Sequence, residues 1–271
     1  MKDKISIITG SGRGIGKEIA KSFASQGATV VLTSRSKTEI DSTLKEIQKN
    51  GGKGVSIPTD ICKYSDVENL ISKVIEKYSK IDILVNNAGI IEPIGPINKI
   101  TIKDWEENIR INLLGTFYCI KTTLPHMIKN HYGKIINISG GGAFNPRPNF
   151  SAYAVSKAGV IRLTEQVAEE MKNNNISVNA ISPGMIKTKM TNEIFKSGDM
   201  AGNELSDAKN VINNGGQSLE NVTKLALFLA SEESNGLTGK TISAQWDNLE
   251  DIKKNISSIQ NSEKYTMKRI T

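Results

Sequence analysis

A short apolar strand that runs into a glycine-rich turn and straight out into an amphipathic helix opens this chain. Ile5 to Thr9 reads as a buried strand, and Thr9-Gly10-Ser11-Gly12-Arg13-Gly14-Ile15-Gly16 follows it. Apolar residues then recur at helical spacing from Gly16 to Gln26. Gly10, Gly14 and Gly16 are spaced GxxxGxG, which differs from the better-known GxGxxG. The physics is shared. Glycines allow the tight turn and a close backbone approach, while the helix N-terminus offers N–H groups and its positive dipole end to a phosphate. A plain tight turn is the bland alternative; the strand–turn–helix context favours a pyrophosphate site, with Gly10, Ser11, Arg13, Gly14, Ile15 and Gly16 as its candidates.

The rest of the chain repeats the alternation. Strands are predicted at Gly27–Thr33, Gly54–Pro58, Ile81–Val85, Lys134–Ser139, Ile176–Ile181 and Lys240–Ser243. Helical patterning covers Lys37–Asn50, Tyr64–Tyr78, Thr101–Lys129, Ala152–Asn173 and Leu219–Ser231. Strands alternating with helices predict a parallel sheet covered on both faces, and right-handed crossovers then lead to a doubly wound α/β fold. With 271 residues, no internal repeat and no linker, one domain over residues 1–244 is the simplest count, with 245–271 as a C-terminal extension.

Composition narrows the function classes. No apolar run approaches a membrane span, and the N-terminus enters a strand and glycine turn rather than a secretion signal. The isolated Cys62 and Cys119 suggest a reducing, cytoplasmic setting. Two histidines and no cysteine cluster argue against a transition-metal site. The net charge of +7 is spread along the chain and aromatics are scarce, so a basic solvated surface is favoured over nucleic-acid binding.

The end of the second strand speaks to the cofactor. An NAD site usually carries an acid there for the ribose 2′-hydroxyl. Here the chain reads Thr33-Ser34-Arg35-Ser36. Arg35, with Arg13 from the turn, suits a 2′-phosphate and favours NADP over NAD; the bland reading has both arginines facing solvent.

Tyr153-Ala154-Val155-Ser156-Lys157 places a phenol and an amine one helical turn apart. A nearby ammonium stabilises the phenolate and draws the phenol's pKa toward the working range, as proton transfer to a carbonyl oxygen requires. Such a pair alone is common on solvated helices; its weight comes from the glycine turn upstream.

Taken in order, the glycine turn, Asn86-Asn87-Ala88-Gly89 after the fourth strand, and Tyr153-x-x-x-Lys157 after the fifth resemble the short-chain dehydrogenase/reductase family. The resemblance runs from about Lys4 to Ser243. It implies a Rossmann-type fold with a seven-stranded parallel sheet, and hydride transfer between NAD(P) and a carbonyl or alcohol. It further implies that Asp60 and Ile61 flank the adenine, Asn87 and Ala88 the adenine ribose, and Ile186 and Thr188 the nicotinamide carboxamide. Lys157 holds the nicotinamide ribose and tunes Tyr153, the general acid/base. Asn112 anchors a water in a proton relay. A homo-oligomer, tetramer or dimer, built on the two long helices is implied too, with a small carbonyl or alcohol as substrate.

Two departures stand out. The family places a serine after the fifth strand; here Ser139 is the only hydroxyl in Ser139-Gly140-Gly141-Gly142-Ala143, and Gly140 occupies the usual serine position. Ser139 is the candidate catalytic hydroxyl, with backbone N–H groups of Gly140 to Gly142 as the alternative. The last strand continues through Trp246 into a polar tail instead of a Gly-Gly turn, and a packed Trp246 is the plain reading. Arg147, in the loop before Tyr153, faces either an anionic group or solvent. The polar, Gly-containing segment 191–217 fits a mobile lid. The rival to an enzyme is an NADP-binding sensor or scaffold with impaired catalysis.

Overall fold

The structure, a computed structural model, describes residues 1–269. Seven strands form one sheet: β1 (Ile5–Thr9), β2 (Thr29–Thr33), β3 (Lys53–Ser56), β4 (Ile83–Asn86), β5 (Gly133–Ile138), β6 (Ile176–Ser182) and β7 (Thr241–Ser243). Their order is β3-β2-β1-β4-β5-β6-β7, and every pairing is parallel. The expected doubly wound Rossmann-type fold is what the chain adopts.

Period-two alternation assigns each strand's side chains to one of two cores. Ile8, Val30, Leu32, Ile136 and Ile138 meet α1 (Gly14–Ser25), α2 (Lys37–Lys49) and α9 (Leu219–Ala230). Ile5, Ile7, Val31, Leu84 and Ile135 meet α3 (Tyr64–Tyr78), α5 (Gly115–Lys129) and α6 (Ser151–Glu170) on the other face. Burial of both faces explains why these strands read as continuous apolar runs. The chain leaves β1 and β4 toward opposite sides of the sheet. Their carboxyl ends therefore part and open a crevice, the usual ligand position in such sheets.

Three regions depart from the sequence reading. The predicted helix 101–129 is interrupted: α4 (Ile102–Ile109) passes through a π-helical turn (Arg110–Leu114) into α5. The polar segment expected as a lid folds into α7 (Lys189–Lys196), a short 3-10 turn and α8 (Glu204–Asn214). Sparse buried positions hold it down: Ile194, Ala201 and Ala208 pack with Ile91, Phe150 and Tyr153. Trp246, by contrast, does not pack; it is 80% exposed at the rim of the crevice.

Beyond β7 the chain forms α10 (Leu249–Lys254) and α11 (Ile256–Gln260), which send Ile252 and Ile259 into the first core. The tail then returns along β7. Thr241 N–H donates to Tyr265 O at 2.8 Å, and buried Lys240 Nζ donates to the carbonyls of Ser262 and Lys264. Residues 270 and 271 of the expected extension lie outside the described residues.

Candidate active site

A cleft of about 980 Å³ occupies the crevice at the carboxyl ends of the strands. Gly10, Arg13, Gly14 and Ile15 from the glycine turn, Arg35, Asp60, Ile61, Asn87 and Ala88 line one end. Ser139, Tyr153, Lys157, Ile186 and Thr188 line the other. Three expected residues do not line it: Ser11, Gly16 and Asn112.

The first two of these build the turn. Ser11 Oγ accepts from Thr33 N–H at 2.9 Å and ties the turn to β2. Gly16 sits where any side chain would overlap Asn87 Nδ2 and come within 2.5 Å of Gly10 O. Asn87 in turn donates to Thr9 O and Gly10 O, while Asn87 and Ala88 N–H groups share Thr9 Oγ1. The β1 and β4 loops are thereby stitched together.

This cradle fits a dinucleotide. Gly10 and Gly14 adopt left-handed φ values of +64° and +56°, which favour glycine. A Cβ at Gly14 would meet nothing nearer than Thr188 Cγ2 at 3.8 Å, so the space above the turn is open. The first turn of α1 carries no acidic residue and no side-chain cap, so its N–H groups keep their capacity for an anion. Arg13 pairs with Glu39 at 2.7 Å, and Glu39 lines the cleft too. Glu39 was not among the residues expected there. Its signal is local, since Ser36 Oγ caps α2 by accepting the Glu39 N–H, and this fixes Glu39 beside the end of β2.

At the other end, Tyr153 is 5% exposed and Lys157 is buried below it. Lys157 Nζ donates to Ile138 O at 2.8 Å and lies 5.7 Å from the Tyr153 ring centre. Burial pushes the Lys157 amine down to about 8. The Tyr153 phenol moves up rather than down. Burial is the largest cause, the Arg147 guanidinium opposes it, and Glu204 adds to it. The sequence expectation had the ammonium dominate; desolvation of the phenolate wins instead, and the resting group is the protonated acid.

Position 140, not 139, is aimed at the phenol. A Cβ on Gly140 would overlap Tyr153 Oη, so the hydroxyl occupies space that any other residue would claim. Ser139 contributes to the cleft wall, but its Oγ is buried and has no hydrogen-bond partner among the described residues. The N–H groups of Gly140, Gly141 and Gly142 donate to no protein acceptor among the described residues.

Asn112 lies in the π-turn, and both ends of its amide are engaged. Oδ1 accepts from Ile90 N–H; Nδ2 is shared among Ile90 O, Asn108 Oδ1 and Ser156 Oγ. A Cβ on Gly89 would be 3.0 Å from Asn112 Oδ1 and 3.5 Å from Lys157 Nζ, so the two side chains converge over that glycine. The Asn108–Ser156 partnership had no sequence signal beyond polar residues on helices.

The chain matches the short chain dehydrogenase family over residues 4–199. It is 36% identical to the 3-oxoacyl-(acyl-carrier-protein) reductase FabG of Thermotoga maritima, covering 89% of this chain and 96% of that protein. It is 35% identical to glucose 1-dehydrogenase 2 of Bacillus subtilis, covering 88% and 92%. A crystal structure of a variant of actinorhodin polyketide ketoreductase with NADPH superposes with a TM-score of 0.82 at 26% identity, covering 89% of this chain and 95% of that one.

Proposed function

The chain belongs to the short-chain dehydrogenase family and is an oxidoreductase, and we propose that it interconverts a carbonyl compound and a secondary alcohol with NADP(H). The observation that carries this reading is the Tyr153 hydroxyl packed against Gly140 in the same cleft as the glycine turn, with Lys157 one helical turn away. A bound dihydronicotinamide supplies a hydride to the carbonyl carbon. The protein's residues do the rest.

Gly10, Gly14, Ile15 and the first turn of α1 would hold the pyrophosphate, Asp60, Ile61, Asn87 and Ala88 would flank the adenosine, and Ile186 and Thr188 would meet the nicotinamide end. Tyr153 donates its proton to the substrate oxygen as charge develops there. Lys157 stabilises the phenolate left behind, and Asn112, held by Asn108 and Ser156, stands with Lys157 over Gly89. We assign the oxygen's second contact to the N–H groups of Gly140 to Gly142, because the Ser139 hydroxyl is sealed from the cleft.

Arg35 supports NADP over NAD. It is exposed at the cleft edge, and no carboxylate pairs with it among the described residues, whereas Arg13 is shared with Glu39. Losing a charge-assisted contact costs about 1.5–3 kcal/mol. Arg35→Ala is therefore expected to weaken NADPH binding by about 10–100-fold and leave NADH binding within about twofold. Fluorescence titration of both nucleotides reads the difference; equal loss for both refutes the 2′-phosphate assignment.

Reduction also carries a pH signature. Tyr153 stays protonated well above neutrality, while Lys157 loses its charge near its lowered value of about 8. The reductive kcat is expected to be level below that pH and to fall about tenfold per unit above it. A reduction rate that rises from pH 8 to 9.5 contradicts the assignment.

A screen of NADPH oxidation over diverse ketones and aldehydes tests the function itself. NADPH binding with no turnover across the panel would favour the sensor reading. We further propose that residues 245–269 belong to the catalytic unit as a clamp, given Ile252 and Ile259 in its core. Leu114, Phe117 and Val155, exposed on the π-turn, α5 and α6, support a homo-oligomer built on those helices. The two unpaired thiols fit a cytoplasmic setting.

A further inference from the structure

The reductase reading leaves one pair in the cleft without a task, and a role for that pair rests on the same reading. Arg147 stands in the loop between β5 and α6, and its guanidinium lies 4.3 Å from the Phe150 ring centre and 5.3 Å from that of Tyr153. The charge thus sits over two ring faces, where cation–π attraction holds it in place. Each of its three nitrogens is engaged: Nε and Nη2 donate to the two carboxylate oxygens of Glu204, and Nη1 donates to Gly141 O at 3.4 Å. Glu204 is the first residue of α8, the helix that covers the cleft. Both residues line the cleft, and their side chains keep 13% and 21% of their surface open.

We propose that Arg147 is a specificity-determining residue that receives a carboxylate carried by the carbonyl substrate, and that Glu204 holds that receptor until the substrate displaces it. The guanidinium is oriented toward a planar, two-oxygen anion, the geometry that Glu204 already satisfies. Its distance from Tyr153 places such a carboxylate a few bonds from a carbonyl at the phenol, so the substrate class is a short oxo acid. Exchange of one carboxylate for another keeps the mostly buried cation paired. A neutral carbonyl compound offers nothing to replace Glu204, because removing it would strand the charge.

Glu204 can leave at small cost. It sits at a helix N-terminus, where a carboxylate is favourable without Arg147. Gly202 precedes α8 at φ +58°, and Gly215 follows it at φ +85° with nothing within 4 Å of its Cβ position. The apolar contacts of Leu205 and Ala208 tether the helix independently of the ion pair.

Acetoacetate and methyl acetoacetate are matched probes, differing in the carboxylate alone. Glu204→Gln removes the competitor and preserves shape; acetoacetate kcat/KM is expected to rise about tenfold through KM, since the competent receptor is no longer occupied. Arg147→Met is expected to lower it at least about tenfold. Both residues also act on Tyr153, so the readout is the ratio of acetoacetate to methyl acetoacetate kcat/KM, which cancels any effect common to the two; it is expected to rise about tenfold in Glu204→Gln and to fall at least about tenfold in Arg147→Met. Parallel changes for both compounds, or none, overturn the proposal and leave the pair a simple clasp. Calorimetric titration of acetoacetate into the NADP⁺-loaded protein reads the same order without turnover. Affinities ranked Glu204→Gln above wild type above Arg147→Met, with no carbonyl reduced, would sink the reductase reading and leave the receptor standing. Equal affinities, or no binding to any of the three, would sink the receptor.

Discussion

Tyr153→Phe is expected to lower carbonyl reduction by about 10³-fold or more in kcat, within the 10²–10⁴ that a positioned acid contributes plus the loss of its hydrogen bond to the oxygen. The substitution is clean. Tyr153 Oη makes no hydrogen bond to the protein among the described residues, so its removal orphans no partner. The ring keeps its contacts with Ile91, Phe150 and Ile194, and so keeps the α7–α8 cover in place. NADPH affinity and the thermal midpoint should therefore stay near wild type while turnover disappears. Stopped-flow measurement of the hydride step, beside a nucleotide titration, separates the two. A variant that retains a tenth or more of the wild-type rate would remove Tyr153 from the chemistry.

The second large effect belongs to a residue outside the cleft. Gly16→Ala places a methyl group against Asn87 Nδ2 and 2.5 Å from the Gly10 carbonyl oxygen. Neither neighbour yields freely. Asn87 Nδ2 is committed to Thr9 O and Gly10 O, and Gly10 is already fixed at a positive φ with its own Cβ direction 2.9 Å from Ala88 Cα. Overpacking of this kind costs about 1–3 kcal/mol in stability. The greater loss is in the turn's shape: NADPH binding is expected to weaken by about a hundredfold or more, since backbone N–H groups cannot bond a phosphate from displaced positions. Isothermal titration together with a melting curve tests this. A small drop in melting temperature with unchanged nucleotide affinity would show that the turn tolerates the methyl.

What the sequence disclosed and what it withheld divide along physical lines. Ile5–Thr9, Tyr64–Tyr78 and the glycine turn were legible because periodicity and turn chemistry are local. The lid was not. Lys189–Lys196 and Glu204–Asn214 bury only Thr191, Ile194, Ala208 and Val211, too few apolar positions to stand out in a polar stretch. Residues Arg147 and Glu204 are 57 positions apart, and no spacing rule joins them. The rise in the Tyr153 phenol's pKa was illegible for a related reason. Its sign depends on how deeply α7 and α8 bury the ring, a property of tertiary packing rather than of the Tyr–Lys interval. Gly140 was readable as an absence of serine, but that it faces the phenol depends on how the turn after β5 packs against α6.

The return of the C-terminal segment along β7 bears on how copies of this chain can meet. A sheet's outermost strand ordinarily offers a ladder for a foreign strand to extend. Here Tyr265 already takes the Thr241 amide, and the Lys240 ammonium is spent on two carbonyls of the same returning segment. A strand from a second copy could add at Thr241 only by displacing this segment, so the chain guards its own edge there against sheet extension.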